Sequence, residues 1–268
     1  MPKSIWRGTI SFGLVTIPVS LVPALSARDL SFHLLDGQTM SQVHNKRVND
    51  AGEEIEWDRI VKGYELPDGR WVTVSDDELK AANVAATQTI DVLGAVCADQ
   101  VSLRYFSTPY HLAPDKPGMK PYALLRDALR DAGRIAIGQV VIRTRQHLCA
   151  LIPEGDLLLL QLLHYENELR SAEEIAVPGS DLEALGVSEA EVALARQLVT
   201  TIETEWRPEL YHDSYRADVL ALIERKAEGE SIEIVTAPEP PTATVVDIAE
   251  LLKRSVEEAR RARAAGES

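Results

Sequence analysis

The chain has 268 residues, of which 45% are hydrophobic and 26% charged, a composition typical of a folded globular protein with one or two domains. Its two cysteines are too few for a disulfide framework or a Cys-rich zinc site, and it lacks both a membrane-length apolar run and a signal-peptide pattern, so a cytoplasmic protein is expected. The net charge of -14 argues against a uniformly basic surface that binds nucleic acid.

The first half of the chain carries the pattern of short strands. β-Branched residues within residues 4–22, interrupted by glycines and a proline, predict two strands with a bend between them. Ser75 and Glu78 have the spacing of a capping box, which predicts the start of a helix. Extended segments are predicted at residues 31–35, 42–48, 70–74, 87–96 and 104–112.

The second half begins with a helix and then returns to strands. Apolar residues recur at helical spacing from Tyr122 to Ala132, and Gly133 can end the helix that they predict. Further along the pattern becomes helical, and Ser188 with Glu191 forms another capping box. Strands are predicted at residues 135–143, 147–152 and 157–164, and helices at 188–206, 213–228 and 245–264, with a proline-rich linker at 238–242.

These segments predict an α+β protein in three parts. A strand-rich body, residues 1–178, is followed by a helical arm, residues 179–237, and then by a linker with a C-terminal helix, residues 238–268. Since strands and helices do not alternate, the pattern argues against a doubly wound nucleotide-binding sheet.

No short catalytic or cofactor motif is present. The chain lacks a phosphate-binding glycine loop, a nucleophile elbow and an HExxH zinc motif, and its six histidines are never at metal-ligand spacing. His33 lies in a predicted apolar strand, where a structural role is the simpler interpretation, and the acidic run at 76–78 is typical of a helix N-terminus. No catalytic residue, metal or cofactor is therefore predicted, although an active site built from distant residues is left open.

Positive charge is concentrated in one part of the chain. Residues 1–100 have a net charge of -5, residues 101–150 of +5 and residues 151–268 of -14. Arg143 and Arg145 are expected to share one face of a strand, a pattern that suits a row of phosphate contacts and a solvated strand edge equally well. An acidic chain can thus present one basic surface to a polyanion and repel it elsewhere.

A series of motifs, in order along nearly the whole chain, resembles the bacterial Ku proteins. The matching segments are 5–19, 32–35, 46–48, 60–65, 109–115, 122–126, 137–138, 141–143, 147–151, 211–216 and 246–252. The first of them reads IWRGTISFGLVTIPV, and a later one reads PYHLAPD.

The resemblance implies a fold and a function. The expected fold is a Ku-type β-barrel core with an extended dimerisation arm and C-terminal helices, in which two copies interlock as a ring. Such a ring threads onto double-stranded DNA ends without reading sequence, recruits the multifunctional ATP-dependent DNA ligase of non-homologous end joining, and carries out no catalysis itself. The protein is then expected near the nucleoid, with no membrane partner.

Candidate residues for each partner come from the basic residues of the strand-rich body, most of which lie in the family motifs, and from the C-terminal helix. The DNA-binding candidates are the basic residues Lys3, Arg7, Lys46, Arg47, Arg134, Arg143 and Arg145. The ligase-binding candidates are Val246, Asp247, Leu251, Leu252 and Lys253. Residues 49–52 lack the CxxC-like pair of some relatives, Ile152 replaces a basic residue that many have, and the short segment after Arg263 predicts no tail-dependent DNA contact.

Two other functions remain as alternatives. The charge of -14 would also suit a protein scaffold that never touches DNA. An unrecognised hydrolase is disfavoured, because no hydrolase motif is present.

Overall fold

The computed structural model describes residues 3–26, 30–82, 88–173, 175–230 and 248–266. The chain divides into two compact units, Met1–Ser171 and Ala172–Ser268. Strands dominate the first unit and helices the second, which confirms the predicted α+β class.

The strands and helices have the following bounds. The strands are β1 Trp6–Phe12, β2 Val15–Pro23, β3 Lys62–Glu65, β4 Trp71–Val74, β5 Thr89–Cys97, β6 Phe106–Pro114, β7 Arg134–Ile142, β8 Arg145–Glu154 and β9 Leu157–Leu163. The helices are α1 Asp76–Ala82, α2 Met119–Asp131, α3 Glu189–Thr201, α4 Ser214–Ala227 and α5 Ile248–Gly266.

Seven strands of the first unit form a closed barrel in the order β1-β2-β6-β9-β8-β7-β5. Neighbours are antiparallel except β1 and β5, whose parallel pairing closes the sheet. Alternate side chains point inward, so Ile17, Val19 and Leu21 of β2 and Leu158 and Leu160 of β9 are fully buried. Closure leaves no strand edge open among these seven.

Helix α2 packs against β7 and β8 with Tyr122, Leu125 and Leu129 buried, as the helical spacing predicts. The Tyr122 hydroxyl donates to the Leu112 carbonyl at 2.8 Å and accepts the Leu158 N–H at 2.6 Å. Burial raises the pKa of Tyr122. The hydroxyl thus ties the helix to two barrel strands.

The insertion segment, residues 30–79 between β2 and β5, buries none of its described residues. The strands predicted at 31–35 and 42–48 are wrong: only isolated bridges form there, Leu35–Gln42 and Val48–Glu54. The predicted apolar strand around His33 is wrong too, because that residue is exposed. The physical reason is that no strand of the described residues lies beside these segments to complete their backbone hydrogen bonds.

The second unit confirms two of the three predicted helix starts, and the third, at 245, lies outside the described residues. Ser188 caps α3 through a capping box with Glu191, and the Asp213 side chain caps α4. Helix α3 ends at Thr201, five residues before its predicted end. Helix α5 packs against α3 and buries Val256, while residues 231–247, which include the predicted linker, lie outside the described residues.

Candidate nucleic-acid interface

Three hairpins of the barrel have two-residue turns. The loops are Gly13–Leu14 between β1 and β2, Arg143–Thr144 between β7 and β8, and Gly155–Asp156 between β8 and β9. The first loop residue has a positive φ in each turn, at 59°, 60° and 54° respectively. Glycine adopts this conformation without strain, and two of the three turns use it.

Arg143 is therefore the exception among these turns. A left-handed conformation costs a residue with a Cβ atom about 1–2 kcal/mol, and such strain often accompanies function. The expectation that Arg143 and Arg145 share a strand face is wrong, because Arg143 lies in the turn and Arg145 begins β8. The turn instead holds both exposed guanidinium groups at the same end of the hairpin.

A cleft of about 740 Å³ lies beside this turn. Its lining comes from the residues before β1, from β6, from the turn end of the β7–β8 hairpin, and from the end of β9 with the segment after it. The lining residues are Lys3, Ser4, Ile5, Ser107, Thr108, Tyr110, Ile142, Arg143, Thr144, Arg145, His147, Leu162, Leu163, His164, Tyr165 and Glu168. Three of these side chains are cationic at neutral pH and one is a carboxylate, so the lining is locally basic on an acidic chain.

Glu168 is that carboxylate, and it is held in place from three directions. Its oxygens accept the Arg145 guanidinium at 2.5 Å and the Tyr165 backbone N–H at 2.9 Å, and His164 Nδ1 lies 3.5 Å away. The N–H of Tyr165, followed by the guanidinium of Arg145, lowers the pKa of Glu168. The carboxylate therefore stays charged at neutral pH.

His147 contributes an uncharged group to the cleft, in contrast to Glu168. Burial, followed by the charge of Arg145, lowers the pKa of His147 below its usual value of 6.5. The imidazole is therefore neutral at pH 7, where it can donate or accept one hydrogen bond without adding charge.

The structure brings together three of the seven predicted DNA-binding residues: Lys3, Arg143 and Arg145 line one cleft. Arg7 is exposed on β1 outside that lining. Arg134 begins β7 and so lies at the opposite end of that nine-residue strand from the Arg143 turn.

Lys46 and Arg47 lie in the insertion segment and have local partners. Lys46 Nζ is 2.7 Å from a carboxylate oxygen of Glu54, and the Arg47 guanidinium stacks 3.8 Å above the Trp57 ring. Both pairs are exposed, so the ion pair contributes little to stability and both cations remain within reach of solvent.

Of the predicted ligase-binding residues, Val246 and Asp247 lie outside the described residues. On α5, Leu251 and Lys253 are exposed, whereas Leu252 is half-buried. Leu252 and Ile248 line an apolar groove with α3 residues that include Val192, Ala195 and Val199.

Sequence reasoning missed the hydroxyl, histidine and carboxylate groups that line the cleft: Ser107, Thr108, His147, His164, Tyr165 and Glu168. They come from elements far apart in sequence, and only the order of the barrel strands brings them together. Within the described residues, no cluster of three potential metal ligands exists, and no helix is apolar and long enough to span a bilayer.

Comparison with known proteins agrees with this architecture. Residues 11–194 match the family described as "Ku: Ku70/Ku80 beta-barrel domain". The chain is 41% identical to the "Non-homologous end joining protein Ku" of Opitutus terrae, over 95% of this chain and 91% of that one. It is 38% identical to the protein of that name from Coxiella burnetii, over 96% and 94% of the two chains, and 40% identical to that of Pseudomonas aeruginosa, over 99% and 90%.

Proposed function

The chain belongs to the Ku family, and we propose from this that it binds double-stranded DNA ends as a homodimeric ring, without reading sequence, in non-homologous end joining. The observation that carries the DNA contact is the basic cleft, in which a strained arginine stands where two related turns have glycine. Cationic side chains at a surface bind the phosphate backbone whatever the base sequence.

The exposed apolar side chains of the insertion segment support the proposal that two copies of the chain pair. They include Phe32 at 65%, Trp57 at 71% and Trp71 at 66% exposure. Two-stranded hairpins such as β3–β4 are marginal in water without packing, and an apolar surface of this extent indicates an interface. We infer that this segment packs against the partner copy, so light scattering should give the mass of two chains; a monomer at micromolar concentration would contradict the ring.

A comparison of linear with covalently closed circular DNA gives the decisive test of end binding. A closed ring reaches duplex DNA only from a free end, so linear plasmid should be retained and a relaxed covalently closed circle of the same sequence should not. Cutting that circle once with a restriction enzyme should restore binding. Equal retention of linear and circular DNA would refute the ring proposal.

The phosphate contacts have their own test. Arg143→Ala combined with Arg145→Ala should weaken binding to every duplex sequence alike and reduce the salt slope by about 0.9 for each phosphate that is no longer neutralised. The matched control is Lys116→Ala with Lys120→Ala, which removes the same charge from exposed positions outside the cleft. An unchanged affinity of the double arginine variant would remove both residues from the site.

We place recruitment of the ATP-dependent ligase on residues 238–268. Leu251 and Lys253 are exposed for a partner, whereas Leu252 packs towards α3. Leu251→Ala should reduce ligase stimulation with an unchanged melting temperature, and deleting 238–268 should abolish stimulation and spare DNA binding. If that deletion abolishes both activities, this division of labour is wrong.

We further propose that the protein is a non-catalytic component located at the nucleoid. The alternative, a scaffold without DNA contact, rests on the charge of -14. A gel shift with a short blunt duplex at low salt separates the two, because the scaffold should leave the duplex unshifted.

A further inference from the structure

The cleft contains a carboxylate, that of Glu168, which already contacts one of its cations. Glu168 is held by Arg145 at 2.5 Å, by the Tyr165 N–H at 2.9 Å and by His164 at 3.5 Å. These are the kinds of group that bind a phosphate: a guanidinium, a backbone N–H and an imidazole. The carboxylate therefore occupies a position that would suit an oxygen of a DNA phosphate.

We propose that Glu168 is an intramolecular competitor of DNA, which holds Arg145 in the free protein and must release it before that guanidinium can contact a backbone phosphate. This inference rests on the proposed DNA-end function, and it adds a residue that limits how tightly the cleft binds DNA. Arg143 and Lys3, in contrast, have no acidic partner among the described residues of the cleft, so they are available from the outset.

The exposure of the pair makes the exchange feasible. The Arg145 side chain is 66% exposed and that of Glu168 is 31% exposed, so a phosphate can reach the guanidinium without opening the barrel. Exposed ion pairs are weak and are screened by salt, which means that a closely approaching phosphate can replace the carboxylate. The affinity of the cleft for DNA then depends on how well Glu168 competes.

The test compares two charge-neutralising variants in the same three-residue helical turn, Glu166–Glu168. Glu168→Gln removes the competing charge and keeps the backbone contact, since a glutamine side-chain oxygen can still accept the hydrogen bond from the Tyr165 N–H. Glu166→Gln is the matched control: Glu166 accepts the Tyr105 hydroxyl and is absent from the cleft lining. Both variants change the net charge equally, so the difference between them reports the release of Arg145.

The assay is fluorescence anisotropy of a labelled blunt duplex with the full chain over a series of salt concentrations. Glu168→Gln should bind about two- to five-fold more tightly than Glu166→Gln for each copy of the site that DNA contacts, with a salt slope steeper by about 0.9. In an Arg145→Ala background the two variants should bind equally.

The outcomes separate this inference from the proposed function. If wild type fails to bind the duplex, the function itself is wrong. If Arg145→Ala weakens binding while Glu168→Gln and Glu166→Gln bind alike, only the competitor role is overturned. An advantage of Glu168→Gln that persists in the Arg145→Ala background also overturns it, because the effect then does not pass through Arg145.

Discussion

Replacing Arg143 by glycine should stabilise the barrel and weaken the DNA complex. The residue has φ 60°, next to 59° and 54° at the glycines of the two related turns. Relief of the left-handed strain is worth about 1–2 kcal/mol, and the greater freedom of glycine in the unfolded chain offsets about 0.5–1 kcal/mol of it. The expected net gain in the free energy of unfolding is about 0.5–1 kcal/mol, or a melting temperature about 2 °C higher.

Arg143→Ala is the matched variant. Alanine removes the same guanidinium and keeps a Cβ atom, so the strain persists and no stability is gained. Both variants remove the same cation from the basic cleft that we propose contacts DNA. Between 50 and 200 mM salt, wild-type affinity should therefore fall about 3.5-fold more than that of either variant for each phosphate that Arg143 neutralises.

The measurements are urea unfolding of the three proteins and anisotropy of a blunt duplex over that salt range. If glycine and alanine variants are equally stable, the turn is unstrained and the structural reason for singling out Arg143 disappears. If Arg143→Gly binds DNA as wild type does, the strain has no connection with DNA.

Three further predictions concern the barrel. A Cβ atom on Gly138 would lie 2.7 Å from the Asp91 carbonyl oxygen, so Gly138→Ala should lower the free energy of unfolding by about 1–3 kcal/mol. Gly94→Ala is the control, because a Cβ atom there would meet nothing within 4 Å. Equal melting temperatures for the two variants would contradict the β5–β7 packing. Burial raises the pKa of Cys149 to about 12. At pH 8, iodoacetamide should therefore label the half-buried Cys97 and spare Cys149 until urea unfolds the protein, as read by peptide mass spectrometry. Equal labelling of both cysteines in the native protein would show that the barrel interior is open. Because only the unfolded state forms this thiolate between pH 9 and 12, stability should fall as pH rises through that window, and Cys149→Ala should reduce that fall.

The parts of the fold that could be predicted are those whose signal is local. Apolar residues at helical spacing predicted α2, and serine–glutamate capping boxes predicted the starts of α1 and α3. The barrel strands were predictable because each one alternates or buries a continuous apolar run, but their closed order was not, since it depends on pairings between distant strands.

The errors also have physical causes. The strands predicted at 31–35 and 42–48 have suitable side chains, but strand structure also needs a partner backbone, and within the described part of the chain these segments form only isolated bridges. The β7–β8 turn was missed because arginine, not glycine or asparagine, occupies its positive-φ position. The cleft was beyond prediction because β6, the β7–β8 turn and the segment after β9 all contribute to it.

The charge of -14 bears on how any salt experiment must be interpreted. Added salt weakens phosphate contacts, but it also screens the repulsion between DNA and the acidic residues that dominate positions 151–268. The two effects act in opposite directions on affinity, so the absolute salt slope of the wild type must underestimate its number of phosphate contacts. A difference between two variants of equal charge, such as Glu168→Gln and Glu166→Gln, cancels the repulsion to first order. Such paired differences, rather than the slope of the wild type alone, therefore report the phosphate contacts that we propose for the cleft.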